Sequence, residues 1–177
     1  MHESIKKILV SEKQIVERSK ELAAQINEEF KGERVTFIAL LSGSVPFLAE
    51  LIKHVTVDCD IDFMDVSSYR GGSESGEVRI LKDLTMSIQG SNVIIVEDIV
   101  DTGKTLKIVK GIIENRDPKK VKIISLLDKP EGRIVDIDAD YVGFTIPNEF
   151  VIGFGLDYDE LYRNLPYVGV LKEEYYM

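Results

Sequence analysis

The chain has 177 residues, 44% hydrophobic and 30% charged, which suits a globular protein with a substantial buried core. Its net charge of −9 argues against a surface built for non-specific nucleic-acid binding, and its one cysteine, Cys59, excludes an intramolecular disulfide and suits a reducing cytosol. No signal-peptide core is present and no stretch approaches the roughly 18 apolar residues of a membrane span, so one cytoplasmic domain over residues 1–177 is expected, free of nucleic acid and membrane.

Ser11 and Gln14 form a capping-box signature ahead of a helical pattern that sets Ile15, Leu22, Ile26 and Phe30 on one side, with Gly32 as its stop. "VTFIALL" (35–41) reads as a buried strand that "SGS" breaks, and Pro46 opens a helix in "VPFLAELIKHV". "VDCDIDF" alternates Val57, Cys59, Ile61 and Phe63 with Asp58, Asp60 and Asp62, the pattern of a half-exposed strand with Cys59 turned to the core. Residues 67–79, "SSYRGGSESGEVR", form a long polar loop of a kind that is usually functional or disordered. Next come a strand in "VIIVEDI", a helix from about 104 to 115, a strand in "VKIISLLD" and shorter strands in "YVGFTI" and "VIGFGL". Buried strands alternating with helices indicate an α/β fold with a mostly parallel central sheet. Such sheets bind ligands at the carboxyl ends of their strands, and "SGS", "EDIVDTGKT" and "DKPEGR" would all lie on that edge.

The segment "VIIVEDIVDTGKTL" (93–106) looks at first like a phosphate loop, yet Glu97, Asp98 and Asp101 crowd the place for a phosphate. Asp98 stands where a Walker loop needs its first glycine, which argues against a nucleoside triphosphatase. "GFGLDY" has only part of a dinucleotide fingerprint, and "DCDIDF" and "DIDADY" lack the glycine and final glutamate of a calcium loop. His2 and His54 have no metal-ligand spacing and read as surface residues. Amides from Asp101 to Thr105 can converge on a phosphate at a helix start, while the neighbouring acids accept from sugar hydroxyls, hold Mg²⁺ or stabilise positive charge on a sugar carbon. A phosphorylated ribose activated by diphosphate meets all of these needs. The alternative is a strand end with solvated acids and a helix cap at Asp101.

The same segment resembles the 5-phosphoribosyl-1-diphosphate (PRPP) motif of the type I phosphoribosyltransferases. "LLSGSVPF", "VSSYRGG", "VEDIVDTGKTL", "LLDKPEGR" and "YVGFTIPNEFVIGFGLDYDELYRNLPYVGVL" follow in the order seen in the 6-oxopurine branch, the hypoxanthine-guanine enzymes. The PRPP motif specifies the superfamily; the block from Pro147 onward is specific to the branch. The resemblance implies a helix-flanked sheet with a small hood made of N- and C-terminal segments. It further implies that Glu97 and Asp98 bind ribose hydroxyls and help hold Mg²⁺, and that Asp101 is the acid/base group facing N7 of the purine. Thr102, Gly103, Lys104 and Thr105 would cradle the 5′-phosphate. Lys129 would donate to the 6-oxo group, Phe150 would stack on the ring, and the Val151 backbone would meet its edge. Asp157 would support a second Mg²⁺ through water, and Arg163 with the Ser42–Gly43 backbone would hold diphosphate. Ser68 and Tyr69 begin the loop that would cover the site against water.

The implied reaction transfers ribose 5-phosphate from PRPP to N9 of hypoxanthine or guanine and releases diphosphate, in a homodimer or homotetramer. Many relatives carry Lys or Arg where this chain has Ser42, which bears on diphosphate affinity or subunit contacts, and a cis peptide is implied at Leu41–Ser42. A PRPP-sensing regulator would need a nucleic-acid surface that the acidic balance does not supply. A superfamily enzyme acting on xanthine stays open.

Overall fold

The computed structural model describes residues 1–68 and 78–176. Strand β1 (Ile5–Val10) leads into helix α1 (Glu12–Glu29). The capping box forms as expected: the Gln14 amide donates to Ser11 Oγ, and the Ser11 amide donates to Gln14 Oε1 at 3.0 Å. Ile15, Leu22, Ile26 and Phe30 are all buried. Strand β2 (Val35–Leu40), helix α2 (Val45–Leu51), strands β3 (Cys59–Ser68), β4 (Val78–Lys82) and β5 (Asn92–Val100) and helix α3 (Lys104–Glu114) follow. Strands β6 (Lys120–Asp128), β7 (Tyr141–Thr145), β8 (Val151–Ile152) and β9 (Val168–Leu171) complete the chain.

Six strands form one sheet in the order β4-β3-β2-β5-β6-β7, parallel except where β4 pairs with β3. β2 is buried at every position, as a central parallel strand covered on both faces must be. Phe37, Ala39, Ile94 and Val96 face α1 and α2, whereas Ile38, Leu40, Val93 and Ile95 face α3. The N- and C-terminal segments build the hood, a separate sheet in which β9 runs between β1 and β8. Among the described residues no helix is long and apolar enough to cross a membrane.

Two expectations need correction. In and before β3 the alternation holds only in part: Val57 and Phe63 pack against the core, but Cys59 and Ile61 are exposed, while Asp62 and Met64 are buried. Asp62 turns inward because it accepts hydrogen bonds from the amides of Phe63, Thr85 and Met86 and from the Thr85 hydroxyl. The 67–79 loop is also shorter than expected, since strand pairing holds Ser67 opposite Arg79 and Ser68 opposite Val78. Tyr69 and the rest of its expected covering segment lie outside the described residues. Of the histidines, His2 is exposed, but His54 is half-buried beside Glu50.

Candidate active site

Three loops leave the carboxyl edge of the parallel strands side by side, as their sequence positions suggest: residues 41–44 after β2, 101–103 after β5 and 129–133 after β6. The central one opens a helix and has the form of an anion-binding turn. Gly103 caps α3 with φ +78, a left-handed conformation in which a side chain is strained, and a Cβ there would also run into Ile137. The first-turn amides that follow have no intrahelical acceptors and point outward with the positive end of the helix dipole. They line a cavity of about 140 Å³ bounded by Glu97, Ile99, Asp101, Thr102, Gly103 and Thr105. Lys104 begins the helix, its amide 3.5 Å from Thr102 Oγ1.

Glu97 and Asp98 lie side by side at the end of β5, both partly buried. Burial, reinforced by the charge of Asp98, pushes Glu97 well above the usual carboxylate range. Burial raises Asp98 to about 6, against the pull of the Ile99 amide and the Arg163 charge. Gly43 lies so close to Asp98 that a Cβ there would collide with the carboxylate, so the 41–44 loop and the acids share one space. The Leu41–Ser42 peptide is cis, as the resemblance implied.

Asp101 and Lys129 stand as the first residues beyond β5 and β6, and Lys129 Nζ reaches Asp101 Oδ2 at 2.7 Å. Lys129 is buried and Asp101 half-exposed. Beyond β8, Arg163 bonds to Asp157 at 2.9 Å and donates to the Gly155 carbonyl at 2.9 Å. The chain between them holds Asp159, Glu160 and Tyr162 at positive φ, local strain of the sort that concentrates at ligand sites. Phe150 is half-exposed, stacks on Tyr176 with centroids 4.9 Å apart, and borders a cavity of about 690 Å³ with Asp157 and Tyr158. Val151 beside it is fixed by its pairing with Val170.

The sequence reading passed over Arg133. Its guanidinium donates to the Val100 and Asp101 carbonyls at 2.9 and 2.7 Å and pairs with Asp128. The only signal for it was a second base closing "DKPEGR" on the ligand edge, four residues after Lys129.

A family model described as "Phosphoribosyl transferase domain" matches residues 7–159. The chain belongs to the phosphoribosyl transferase family. A hypoxanthine-guanine phosphoribosyltransferase of Lactococcus lactis subsp. lactis is 57% identical over 99% of this chain and 96% of that protein. A hypoxanthine phosphoribosyltransferase of Staphylococcus aureus superposes with a TM-score of 0.96 at 49% identity, over 100% of this chain and 97% of the other. A mutant of the Trypanosoma cruzi hypoxanthine phosphoribosyltransferase, complexed with its product IMP, gives 0.95 at 44% identity over 99% and 95%.

Proposed function

We propose that the protein transfers ribose 5-phosphate from PRPP to N9 of hypoxanthine and guanine, giving IMP or GMP and diphosphate. The observation that carries this reading is the Asp101–Lys129 pair, 2.7 Å apart at the rim of the phosphate cradle. A 6-oxopurine presents N7 and O6 on one edge, and a carboxylate beside an ammonium complements that edge. Lys129 donates to the 6-oxo group but cannot pair with the amino donor of adenine, which excludes that base. Asp101 exchanges a proton with N7 as N9 reacts. Phe150 stacks on the ring and the Val151 backbone meets its edge.

On the ribose side, the amides of Thr102, Gly103, Lys104 and Thr105 hold the 5′-phosphate. Glu97 and Asp98 accept from the ribose hydroxyls and face the carbon that becomes cationic as diphosphate leaves. Arg163 and the Ser42–Gly43 backbone bind the departing diphosphate, with Ser68 and Tyr69 starting the segment that shields the cation from water.

The donor set suits Mg²⁺. Hard carboxylate oxygens are what this ion takes, and the upward shifts of Glu97 and Asp98 mark negative charge that a cation would relieve. Among the described residues no group of three or more acidic, His or Cys side chains forms a closed metal cage. Mg²⁺ commonly keeps several waters and takes substrate phosphates as ligands, so Glu97, Asp98 and, through water, Asp157 are sufficient. When bound, the ion neutralises the diphosphate leaving group. The lone, exposed Cys59 suits a reducing cytoplasm, where we place the protein as a single-domain subunit of a homodimer or homotetramer.

The test is diphosphate release from PRPP with hypoxanthine, guanine, xanthine and adenine in turn, with and without Mg²⁺. Release with the first two and not with adenine is expected; release with xanthine alone, or with none of the four, overturns the reading.

A further inference from the structure

Asp101 and Lys129 come from different strands, and each stands on the first residue of a loop, where the sheet no longer fixes the backbone. Their alignment therefore needs a tie between the two strand ends. The Lys129 amide supplies part of it, donating to the Val100 carbonyl at 3.0 Å. Arg133 supplies the rest. One end of its guanidinium takes the Val100 and Asp101 carbonyls, and the other pairs with Asp128, the residue immediately before Lys129. Its side chain is only 13% exposed, and among the described residues Nε has no partner, so these three contacts alone orient the group.

Resting on the transferase reading above, we propose that Arg133 is a positioning residue for the transfer: it splices the ends of β5 and β6 so that the Asp101 carboxylate and the Lys129 ammonium meet adjacent atoms of one purine. The planar fork is essential to this role. A lysine keeps the charge but cannot span two carbonyls and a carboxylate. Misplacing a catalytic group by about 1 Å can cost 10²-fold in rate.

The test is a double-mutant cycle read in kcat with PRPP, Mg²⁺ and hypoxanthine, using Arg133→Lys, Asp101→Asn and the double variant. Arg133→Lys is expected to lower kcat by about 10- to 100-fold, with a melting temperature close to wild type and a smaller change in KM for PRPP. In the Asp101→Asn background the same substitution should cost no more than about twofold, because the group it positions no longer accepts the proton. An equal fold-loss in both backgrounds, or no loss of kcat when Arg133→Lys is made in the otherwise wild-type enzyme, overturns the proposal and leaves Arg133 a purely structural tie. Asp128→Asn, which loosens the same clamp from its other end, should repeat the pattern with a smaller fall and decides the matter if Arg133→Lys does not fold. Failure of the wild type to turn over would instead reject the transferase reading, so the two are separable.

Discussion

Two groups of inward-turned carboxylates have opposite electrostatics. Asp62 is 3% exposed, yet it stays ionised with ease. Burial works against its charge, but the amides of Phe63, Thr85 and Met86 and the Thr85 hydroxyl outweigh that penalty and hold its pKa below the ordinary value. Glu97 and Asp98 also turn inward, and there burial prevails: their pKa values are raised. Asp62 ties β3 to residues 85 and 86 and takes bonds enough to offset its burial; Asp98 has the Ile99 amide at 2.7 Å and the charge of Arg163, which do not offset its own. Burial of an acid is thus a poor guide to function, whereas a burial penalty left uncompensated is a good one.

The largest expected effect tests the ligand side of that contrast. Asp101→Asn keeps the shape and removes the basicity, so kcat should fall by about 10²–10⁴-fold with little change in melting or in PRPP affinity. Turnover within about threefold of wild type would remove Asp101 from the chemistry, since acid–base catalysis contributes far more than that. Next in size, Lys129→Ala should lower kcat/KM for hypoxanthine by roughly 10- to 100-fold, the loss of a charged hydrogen bond of about 1.5–3 kcal/mol, while PRPP binding by calorimetry stays nearly intact. Normal purine kinetics would take Lys129 out of the base pocket.

Asp62→Asn tests the other side. An amide cannot accept from so many donors at once, so folding should lose about 1.5–3 kcal/mol, with normal kcat per folded molecule. A stable variant with impaired turnover would blur the distinction drawn above. The smallest effect carries the opposite sign. Asp98 has a folded pKa of about 6 against an ordinary 3.8, so the native state holds the proton longer and its contribution to stability declines as pH rises from about 4 to about 6. Asp62 behaves conversely: its contribution is present above the ordinary value and lost as pH falls through the lowered one. Without Mg²⁺ or PRPP, Asp98→Asn should therefore melt above wild type at pH 7 and level with it at pH 4. Discounted for partial exposure, the gain is about 1 kcal/mol, or roughly 2–4 °C. A lower melting temperature at pH 7 would mean that Asp98 has a structural partner after all.

The sheet was legible because β2, β5 and β6 are near-continuous apolar runs ended by turn residues, and Ser11 and Gln14 announced α1 locally. The helix start proposed to hold phosphate was legible because its glycine cap and first-turn amides are contiguous in sequence. The phase of β3 was not. Apart from the Phe63 amide, the donors that hold Asp62 inside come from Thr85 and Met86, more than 20 residues away, and alternation alone assigns an aspartate to water. Nor could spacing join Asp101 to Lys129 or show Arg133 between them, since those contacts exist only once β5 lies beside β6. Residue types singled out these groups; their mutual geometry needed the fold.

The hood gives the molecule an order of assembly. β9 lies between β1 and β8, so Val151, beside Phe150, is held by Val170, and β9 is in turn held by residues 5–10. During synthesis the strands and the helix start that form the phosphate cradle leave the ribosome by residue 128. Val151 has no strand partner until residues 168–171 follow and the first strand folds back across almost the entire length of the chain. A chain cut short before residue 168 would therefore keep Asp101 and Lys129 but leave Val151, and with it the proposed contact to the edge of the base, without the strand that fixes it.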